Sequence, residues 1–115
     1  MSLSEFCPRY HYAVELIGRR WSGAILRAML AGRAGYAEIR GAVPALSDTL
    51  LSQRLDELER EGIVDRTVVA SSPVRVEYHL TPKGRALEQA VAEIARWAED
   101  WLPVPEPEGS RRPSR

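Results

Sequence analysis

Residues 46–66, LSDTLLSQRLDELEREGIVDR, decide the fold of this chain. Apolar residues recur there at the spacing of a helix with one buried face: Leu51, Leu55 and Leu58. Ser47 is a suitable N-cap and Gly62 a suitable left-handed terminator, so the pattern predicts one helix between them. The opposite face is polar: Thr49, Gln53, Asp56 and Arg60, with Ser52 on its flank.

Three shorter helices are predicted before this segment. The first begins at Pro8 and ends at Gly18. The second directs apolar side chains toward a core: Trp21, Ile25, Leu26, Met29 and Leu30. The third is a brief helix around the apolar positions Tyr36, Ile39 and Val43, and Pro44 stops it because proline disfavours helical geometry in the residue that precedes it.

A β-hairpin and a last helix are predicted after residue 62. β-Branched residues flank the sequence SSP, which places the hairpin tip near residues 71–73. Thr81 and Pro82 then open a helix as N-cap and first helical residue. Its apolar residues form a long seam: Leu87, Val91, Ile94, Ala98 and Trp101. Residues 103–115 are rich in proline and are predicted to be a disordered tail after a domain of residues 1–102.

Composition restricts the classes of protein to which the chain can belong. Its 115 residues, 44% hydrophobic and 28% charged, suit one compact soluble domain. No apolar run approaches the ~20 residues that span a bilayer, and no secretory signal opens the chain, so we expect a cytoplasmic protein without a membrane partner. A single cysteine and two histidines disfavour a disulfide framework or a zinc site, and we expect neither metal nor cofactor.

Enzyme function is not expected from these residues. The sequence has no glycine-rich phosphate loop, and its two histidines lack an evident nucleophile beyond Cys7. A formal net charge of zero argues against a protein that coats nucleic acid indiscriminately, although it leaves local recognition open.

The order of elements is that of a mainly α winged helix-turn-helix with a small β-hairpin. In that arrangement the second helix of the pair lies in the DNA major groove and the hairpin reaches the neighbouring backbone. Short or amide side chains then become candidates for base edges and phosphates: Ser47, Thr49, Ser52 and Gln53. Four arginines are candidates for phosphates: Arg40, Arg54, Arg66 and Arg75. The alternative is a solvated polar face whose arginines pair with nearby glutamates.

Acidic residues in the same helix favour that alternative. Asp48 in the first turn suits the helix dipole but repels phosphate. More acids fill the second half: Asp56, Glu57, Glu59 and Glu61. If DNA is bound, these acids should lie away from it. A winged-helix protein-interaction module that has lost DNA binding is therefore the competing function.

Four matches in the same order resemble the HxlR-type winged-helix transcriptional regulators, a branch near the MarR group. They are CP at residues 7–8, IGRRW at 17–21, LSQRLDELEREGIVDR at 51–66 and PVRVEYHLTPKG at 73–84. The resemblance implies a bacterial homodimer that binds an inverted repeat in double-stranded DNA, with residues 46–61 as recognition helix and 69–76 as wing. The family often has a basic residue and phenylalanine where this chain has Gly35 and Tyr36.

The same resemblance implies that the first and last helices join two protomers. The candidate interface residues are Tyr10, Val14, Ile94, Trp97 and Trp101. Independently of the family, the seam of the last helix is more apolar than a lone surface helix requires. An intramolecular core is the other interpretation of that seam.

Cys7 is a candidate sensor, because members of this family often carry a redox- or electrophile-responsive cysteine at this position. Arg9, His11 and a helix N-terminus near Pro8 would favour its thiolate. Without a second cysteine, a switch would need a disulfide between protomers, a thiol adduct or alkylation. The other interpretation is a small cysteine that fills a dimer interface. A small-molecule effector could instead bind among aromatic residues, which are equally suited to a core: Tyr10, Tyr12, Trp21 and Trp97.

Overall fold

The computed structural model describes residues 5–104. Within that range the elements follow one another as α1 (Pro8–Ile17), α2 (Ser22–Leu30), α3 (Tyr36–Ala42), α4 (Asp48–Arg60), β1 (Val64–Val69), β2 (Arg75–Leu80), α5 (Pro82–Arg85) and α6 (Glu88–Trp101). The predicted mainly α fold with one antiparallel hairpin is confirmed.

The ends of α4 form as the sequence predicts. The Ser47 hydroxyl oxygen accepts a hydrogen bond from the Leu50 amide at 3.2 Å, which satisfies one of the amides that a helix start leaves unpaired. Gly62 has φ +75°, and the Ile63 amide reaches back to the Leu58 carbonyl at 2.9 Å. The helix therefore ends in a left-handed turn that favours glycine.

The core lies where α2, α3, α4 and the hairpin meet. Leu51, Leu55 and Leu58 are completely buried, which confirms the predicted inner face of α4. They pack with apolar residues from the other elements: Ile25, Leu26, Met29, Ile39, Val43, Leu46, Ile63, Val64 and Tyr78. Burial of this set anchors the helix whose outer face carries the candidate DNA contacts.

The hairpin is fixed to the start of α3 by backbone hydrogen bonds. Val64 pairs with Leu80 at one end of the hairpin and Val69 with Arg75 at the other. Gly35 forms a further antiparallel bridge to Glu77, and the Tyr78 amide donates to the Ala34 carbonyl at 2.7 Å. The hairpin, which includes the predicted wing, therefore has a defined position relative to α3 and α4.

Two helix predictions differ from the structure. Trp21 lies before α2 rather than in it, with φ +75° in the left-handed region. The predicted last helix is interrupted between α5 and α6, where the Leu87 amide bonds to the Gly84 carbonyl at 3.1 Å instead of a carbonyl four residues back. This hydrogen bond spans three residues, not four, and forms a turn that separates α5 from α6.

Helices α1 and α6 contain no buried residues. Helix α6 ends at Trp101, as the seam predicted, and Pro103 and Val104 follow in non-helical conformation. The rest of the predicted tail, residues 105–115, lies outside the described residues. None of the helices in residues 5–104 is long and apolar enough to cross a membrane.

Candidate nucleic-acid interface

The N-terminal half of α4 presents its polar side chains on the protein surface. Ser47, Thr49, Ser52 and Gln53, which the sequence predicts to contact DNA, are all exposed. They surround the end of the helix at which the backbone amides and the helix dipole favour an anion. Short hydroxyl and amide side chains at such a site can contact both phosphates and base edges.

The acidic residue at the start of α4 is paired. Arg40 donates from Nε to Asp48 Oδ1 at 2.9 Å and from Nη1 to the Pro44 carbonyl at 3.4 Å. The ion pair joins α3 to the first turn of α4 and offsets the negative charge that would repel phosphate. It also occupies part of the guanidinium that the sequence predicts to contact DNA.

A groove of about 600 Å³ separates the starts of α3 and α4 from the wing. Three of the predicted contact residues line it together: Ser52, Arg66 and Arg75. Arg75 pairs with Glu77 at 3.2 Å, and the same carboxylate is 2.9 Å from His79 Nε2. Within residues 5–104, Arg66 is exposed and has no ion-pair partner. The groove thus combines the Ser52 hydroxyl of α4 with two arginines, Arg66 and Arg75, and two carboxylates, Glu38 and Glu77.

Tyr36 also lines this groove, where it has a polar role that its sequence pattern does not predict. Its spacing with Ile39 and Val43 assigned it to an apolar helix face, and its ring indeed packs against the core. Its hydroxyl, however, lies 3.3 Å from both the Asp48 carbonyl oxygen and Ser52 Oγ. The only signal in the sequence is the hydroxyl itself, since phenylalanine would serve for packing alone.

Glu38 stabilises the edge of the groove. Its Oε1 accepts hydrogen bonds from the Gly35 amide at 3.1 Å and the Ala34 amide at 3.2 Å. These backbone hydrogen bonds lower the pKa of the Glu38 carboxyl below its ordinary value, because they stabilise the ionised form. The ionised carboxylate holds residues 34–35, which precede α3 and pair with β2 through backbone hydrogen bonds.

Arg54 is the one predicted contact that the structure directs away from the groove. Its side chain is 14% exposed, and its Nε donates to the Arg20 carbonyl at 2.8 Å. Its Nη1 pairs with Glu57 at 3.2 Å, and Arg19 approaches the same carboxylate at 3.4 Å. The guanidinium therefore holds the α1–α2 connection against α4.

Two of the acids in the second half of α4 also face α1. Glu57 takes part in the pairs with Arg54 and Arg19, and Glu61 accepts a hydrogen bond from the Tyr12 hydroxyl. That hydrogen bond and then the negative charge of Glu61 raise the pKa of Tyr12. Asp56 and Glu59 are exposed. Half of the predicted acidic stretch is thus occupied by contacts within the chain, Glu61 with α1 and Glu57 with Arg54 and with the loop that follows α1.

Cys7 is exposed and forms the N-cap of α1. Its Sγ accepts a weak hydrogen bond from the Tyr10 amide at 3.5 Å. The rings of Phe6 and His11, on either side of it in sequence, lie 5.3 Å apart. The thiol is therefore accessible to solvent.

The predicted interface residues are all exposed in the protomer: Tyr10, Val14, Ile94, Trp97 and Trp101. Trp101 is 73% exposed and Tyr10 70%. The predicted seam divides between its two interpretations: Leu87 packs against the core and Val91 and Ala98 are half-buried, whereas Ile94 and Trp101 are exposed. Of the aromatics proposed to line a ligand cleft, Tyr12 lines one of about 170 Å³ beside Arg19 and Glu57.

Comparison with known proteins identifies the family to which this chain is similar. Residues 16–106 match the model of a family described as HxlR-like helix-turn-helix. The HTH-type transcriptional regulator YvaP of Bacillus subtilis is 46% identical over 102 residues, which cover 89% of this chain and 94% of YvaP.

Solved structures agree with this match. The structure titled as the redox regulator HypR in its oxidised form has a TM-score of 0.77 at 36% identity and covers 85% of this chain and 100% of that chain. The structure of the reduced form of the transcriptional regulator YodB from Bacillus subtilis has a TM-score of 0.75, also at 36% identity. The match covers 89% of this chain and 100% of the YodB chain. The likeness thus extends over the winged helix and over the two helices that flank it.

Proposed function

Since the chain belongs to the HxlR-like helix-turn-helix family of transcriptional regulators, we propose that it binds an inverted-repeat operator in double-stranded DNA as a cytoplasmic homodimer. Its family and relatives are regulators and not enzymes. In the proposed complex the N-terminal half of α4 enters the major groove and the wing contacts the adjacent backbone.

The observation that carries the proposal is the groove between α4 and the wing. Ser52 from the helix and Arg66 from β1 line the same groove, with exposed Thr49 and Gln53 beside it on α4. A helix for base edges and a cation for phosphates are the two parts that specific DNA binding requires. Ser47, Arg40 and Arg75 complete the proposed contacts, whereas the guanidinium of Arg54 is held by contacts inside the protomer.

The distribution of acids is compatible with DNA on this face. Asp48 is paired with Arg40 at the start of α4, while Glu57 and Glu61 bond to residues of α1 and its following loop. These contacts reduce the negative charge presented toward the proposed DNA surface. They support the DNA-binding function over the protein-interaction module.

The exposed apolar residues of α1 and α6 support the homodimer. Burial of a tryptophan or tyrosine side chain contributes roughly 2 kcal/mol or more, and both helices present such residues to solvent. An inverted repeat requires two recognition helices related by a twofold axis, which an isologous dimer supplies.

The first test is a fluorescence-anisotropy titration against labelled DNA from upstream of the protein's own and adjacent genes. A scrambled duplex is the control, and both are titrated at two salt concentrations. We expect a preference for a genomic fragment that persists at the higher salt, because base contacts depend less on counterion release than phosphate contacts do. Equal binding to both duplexes would favour the protein-interaction module.

Gln53 and Arg66 are expected to contribute differently to DNA binding. Gln53→Ala should weaken operator binding by roughly 10-fold and leave scrambled DNA almost unchanged, because a base contact is lost. Arg66→Ala should weaken both alike and reduce the slope of log affinity against log salt by about 1, because a phosphate contact is lost. Anisotropy over a salt series measures both effects, and equal losses on both duplexes for both variants would contradict this division.

We also propose that Cys7 responds to oxidants or electrophiles. The thiol is exposed at the N-cap of α1, and two solved structures of similar fold are titled as the redox regulator HypR and as the reduced form of YodB. Two Cys7 thiols, one from each protomer, would lose two protons and two electrons to the oxidant and form a disulfide. A quinone would instead form a thioether with one thiol.

Treatment with p-benzoquinone is therefore expected to change operator affinity by roughly 10-fold, a shift comparable to allosteric couplings in general. Cys7→Ser should bind the operator like the wild type and lose the response, while the adduct is followed by intact-mass spectrometry. An unchanged affinity in wild-type protein that carries the adduct would contradict the sensor function.

A further inference from the structure

The Tyr36 hydroxyl joins the first two turns of the proposed recognition helix. Its ring is packed against the core, and its hydroxyl lies at the groove between α4 and the wing. The oxygen is 3.3 Å from the Asp48 carbonyl, 3.5 Å from Asp48 Oδ1 and 3.3 Å from Ser52 Oγ. Asp48 and Ser52 are one helical turn apart, so the hydroxyl contacts two successive turns on the same side of α4.

Either hydroxyl can donate the hydrogen bond between Tyr36 and Ser52, and we assign its direction from the acceptors that surround Tyr36. A phenol has one proton to donate, and a backbone carbonyl and an ionised carboxylate can only accept. Asp48 presents both kinds of acceptor to Tyr36, and Arg40 holds its carboxylate at 2.9 Å. Ser52 can act as donor or acceptor. All groups are satisfied when Tyr36 donates to Asp48 and Ser52 donates to Tyr36.

This arrangement uses the only proton of the Ser52 hydroxyl. Its remaining lone pairs face an exposed surface at the groove, so toward DNA Ser52 becomes an acceptor. In the major groove the hydrogen-bond donors are the amino groups of adenine and cytosine, whereas guanine and thymine present keto oxygens there. A serine with a fixed acceptor thus discriminates amino bases from keto bases, which a freely rotating serine cannot do.

We propose that Tyr36 is a positioning residue that fixes Ser52 as a hydrogen-bond acceptor, so that the chain prefers adenine or cytosine at one position in each half-site. The proposal rests on the proposed function, because it requires the N-terminal half of α4 to lie in the major groove. Tyr36 itself touches no base in this arrangement. Its effect on recognition passes entirely through the Ser52 hydroxyl.

The test uses the full chain and a set of operator duplexes in which each position is changed in turn. For wild-type protein we expect one position per half-site at which an amino base is preferred over a keto base by roughly 10-fold. Replacing that adenine by purine, or that cytosine by 2-pyrimidinone, removes the amino group and should remove the preference. Tyr36→Phe should reduce the preference at this position to about two-fold and leave other positions unchanged.

Ser52→Ala supplies the matched control in a double-mutant cycle. It should abolish the same positional preference, and addition of Tyr36→Phe to it should have no further effect, because both act through one hydroxyl. Affinity for scrambled DNA should be the same for wild type and Tyr36→Phe, whatever stability is lost with the hydrogen bonds of the hydroxyl. A merely structural role would instead weaken binding at every operator position alike.

The outcomes separate this inference from the proposed function. A wild-type protein that does not distinguish genomic from scrambled DNA would overturn the proposed function, and this inference with it. A wild-type operator preference that Tyr36→Phe leaves unchanged at every position would overturn the inference alone. Additive effects of Tyr36→Phe and Ser52→Ala would also overturn it, since they would show that Tyr36 acts by another route.

Discussion

Replacing Gly84 with alanine is expected to destabilise the protein by about 3 kcal/mol and to lower its Tm by on the order of 15 °C. Gly84 is buried in α5. An added Cβ would overlap the Ile63 carbonyl oxygen and would lie 3.0 Å from Leu80 Cδ2 and 3.1 Å from Ile63 Cγ2. The overlap is with backbone, which has less freedom to move than the end of a side chain.

The surrounding hydrogen bonds prevent an easy relaxation. The Ile63 carbonyl accepts from the Thr81 amide at 3.0 Å and from the Thr81 hydroxyl at 3.2 Å. The same hydroxyl caps α5 by accepting from the Gly84 amide at 3.1 Å. A displacement that makes room for a methyl group would therefore stretch the contacts that join α5 to the end of α4.

Gly41→Ala is the matched control, because a Cβ at Gly41 would have no heavy atom within 4 Å. Gly41 lies in α3, where alanine is favoured over glycine by up to about 1 kcal/mol. Thermal and urea denaturation followed by circular dichroism should show the loss for Gly84→Ala and an unchanged or slightly higher stability for Gly41→Ala. A Gly84→Ala protein as stable as wild type would show that Ile63 can move.

Trp97→Glu is expected to convert the proposed homodimer to a monomer and to weaken binding to the full operator by on the order of 100-fold or more. Trp97 is 56% exposed in the protomer, so the substitution should not disturb the core. A buried unpaired carboxylate at a subunit interface is costly. Without the partner, each recognition helix binds its half-site independently and the gain from the linked second site is lost.

Light scattering coupled to size-exclusion chromatography measures the mass, and anisotropy compares the full operator with an isolated half-site. Trp97→Glu should bind the two duplexes with similar affinity, whereas wild type should prefer the full operator. Ala92→Glu is the control, since it adds the same charge at an exposed position that lies about 140° around α6 from Trp97. A Trp97→Glu protein that remains dimeric would place the interface elsewhere.

The residues that begin and end α4 could be predicted from the sequence alone. A Ser47 cap, an apolar repeat of Leu51, Leu55 and Leu58, and a left-handed Gly62 are local features, and each is present in the structure. The hairpin was equally predictable from its β-branched runs around a turn. In these segments the information that sets the backbone lies within a few residues, so a single sequence suffices.

The partners of the polar side chains were decided only by tertiary structure. Arg54 and the Arg20 carbonyl are 34 residues apart in sequence, and Tyr12 and Glu61 are 49 apart. The sequence made Arg54 a candidate phosphate contact, but packing of the α1–α2 connection against α4 gave its guanidinium acceptors within the chain. The polar role of Tyr36 has the same origin, because its hydroxyl gains partners only when α3 lies across the start of α4.

The sequence by itself therefore determined the helices, the hairpin, the buried face of α4 and the family to which the chain is similar. Tertiary structure decided which arginines reach the groove, where half of the acids of α4 bond, and which hydroxyl orients Ser52. The physical reason is the separation along the chain over which each interaction acts. Caps, turns and apolar periodicity act within one or two turns of the chain, whereas the charge and hydrogen-bond partners of a surface depend on elements that meet only after folding.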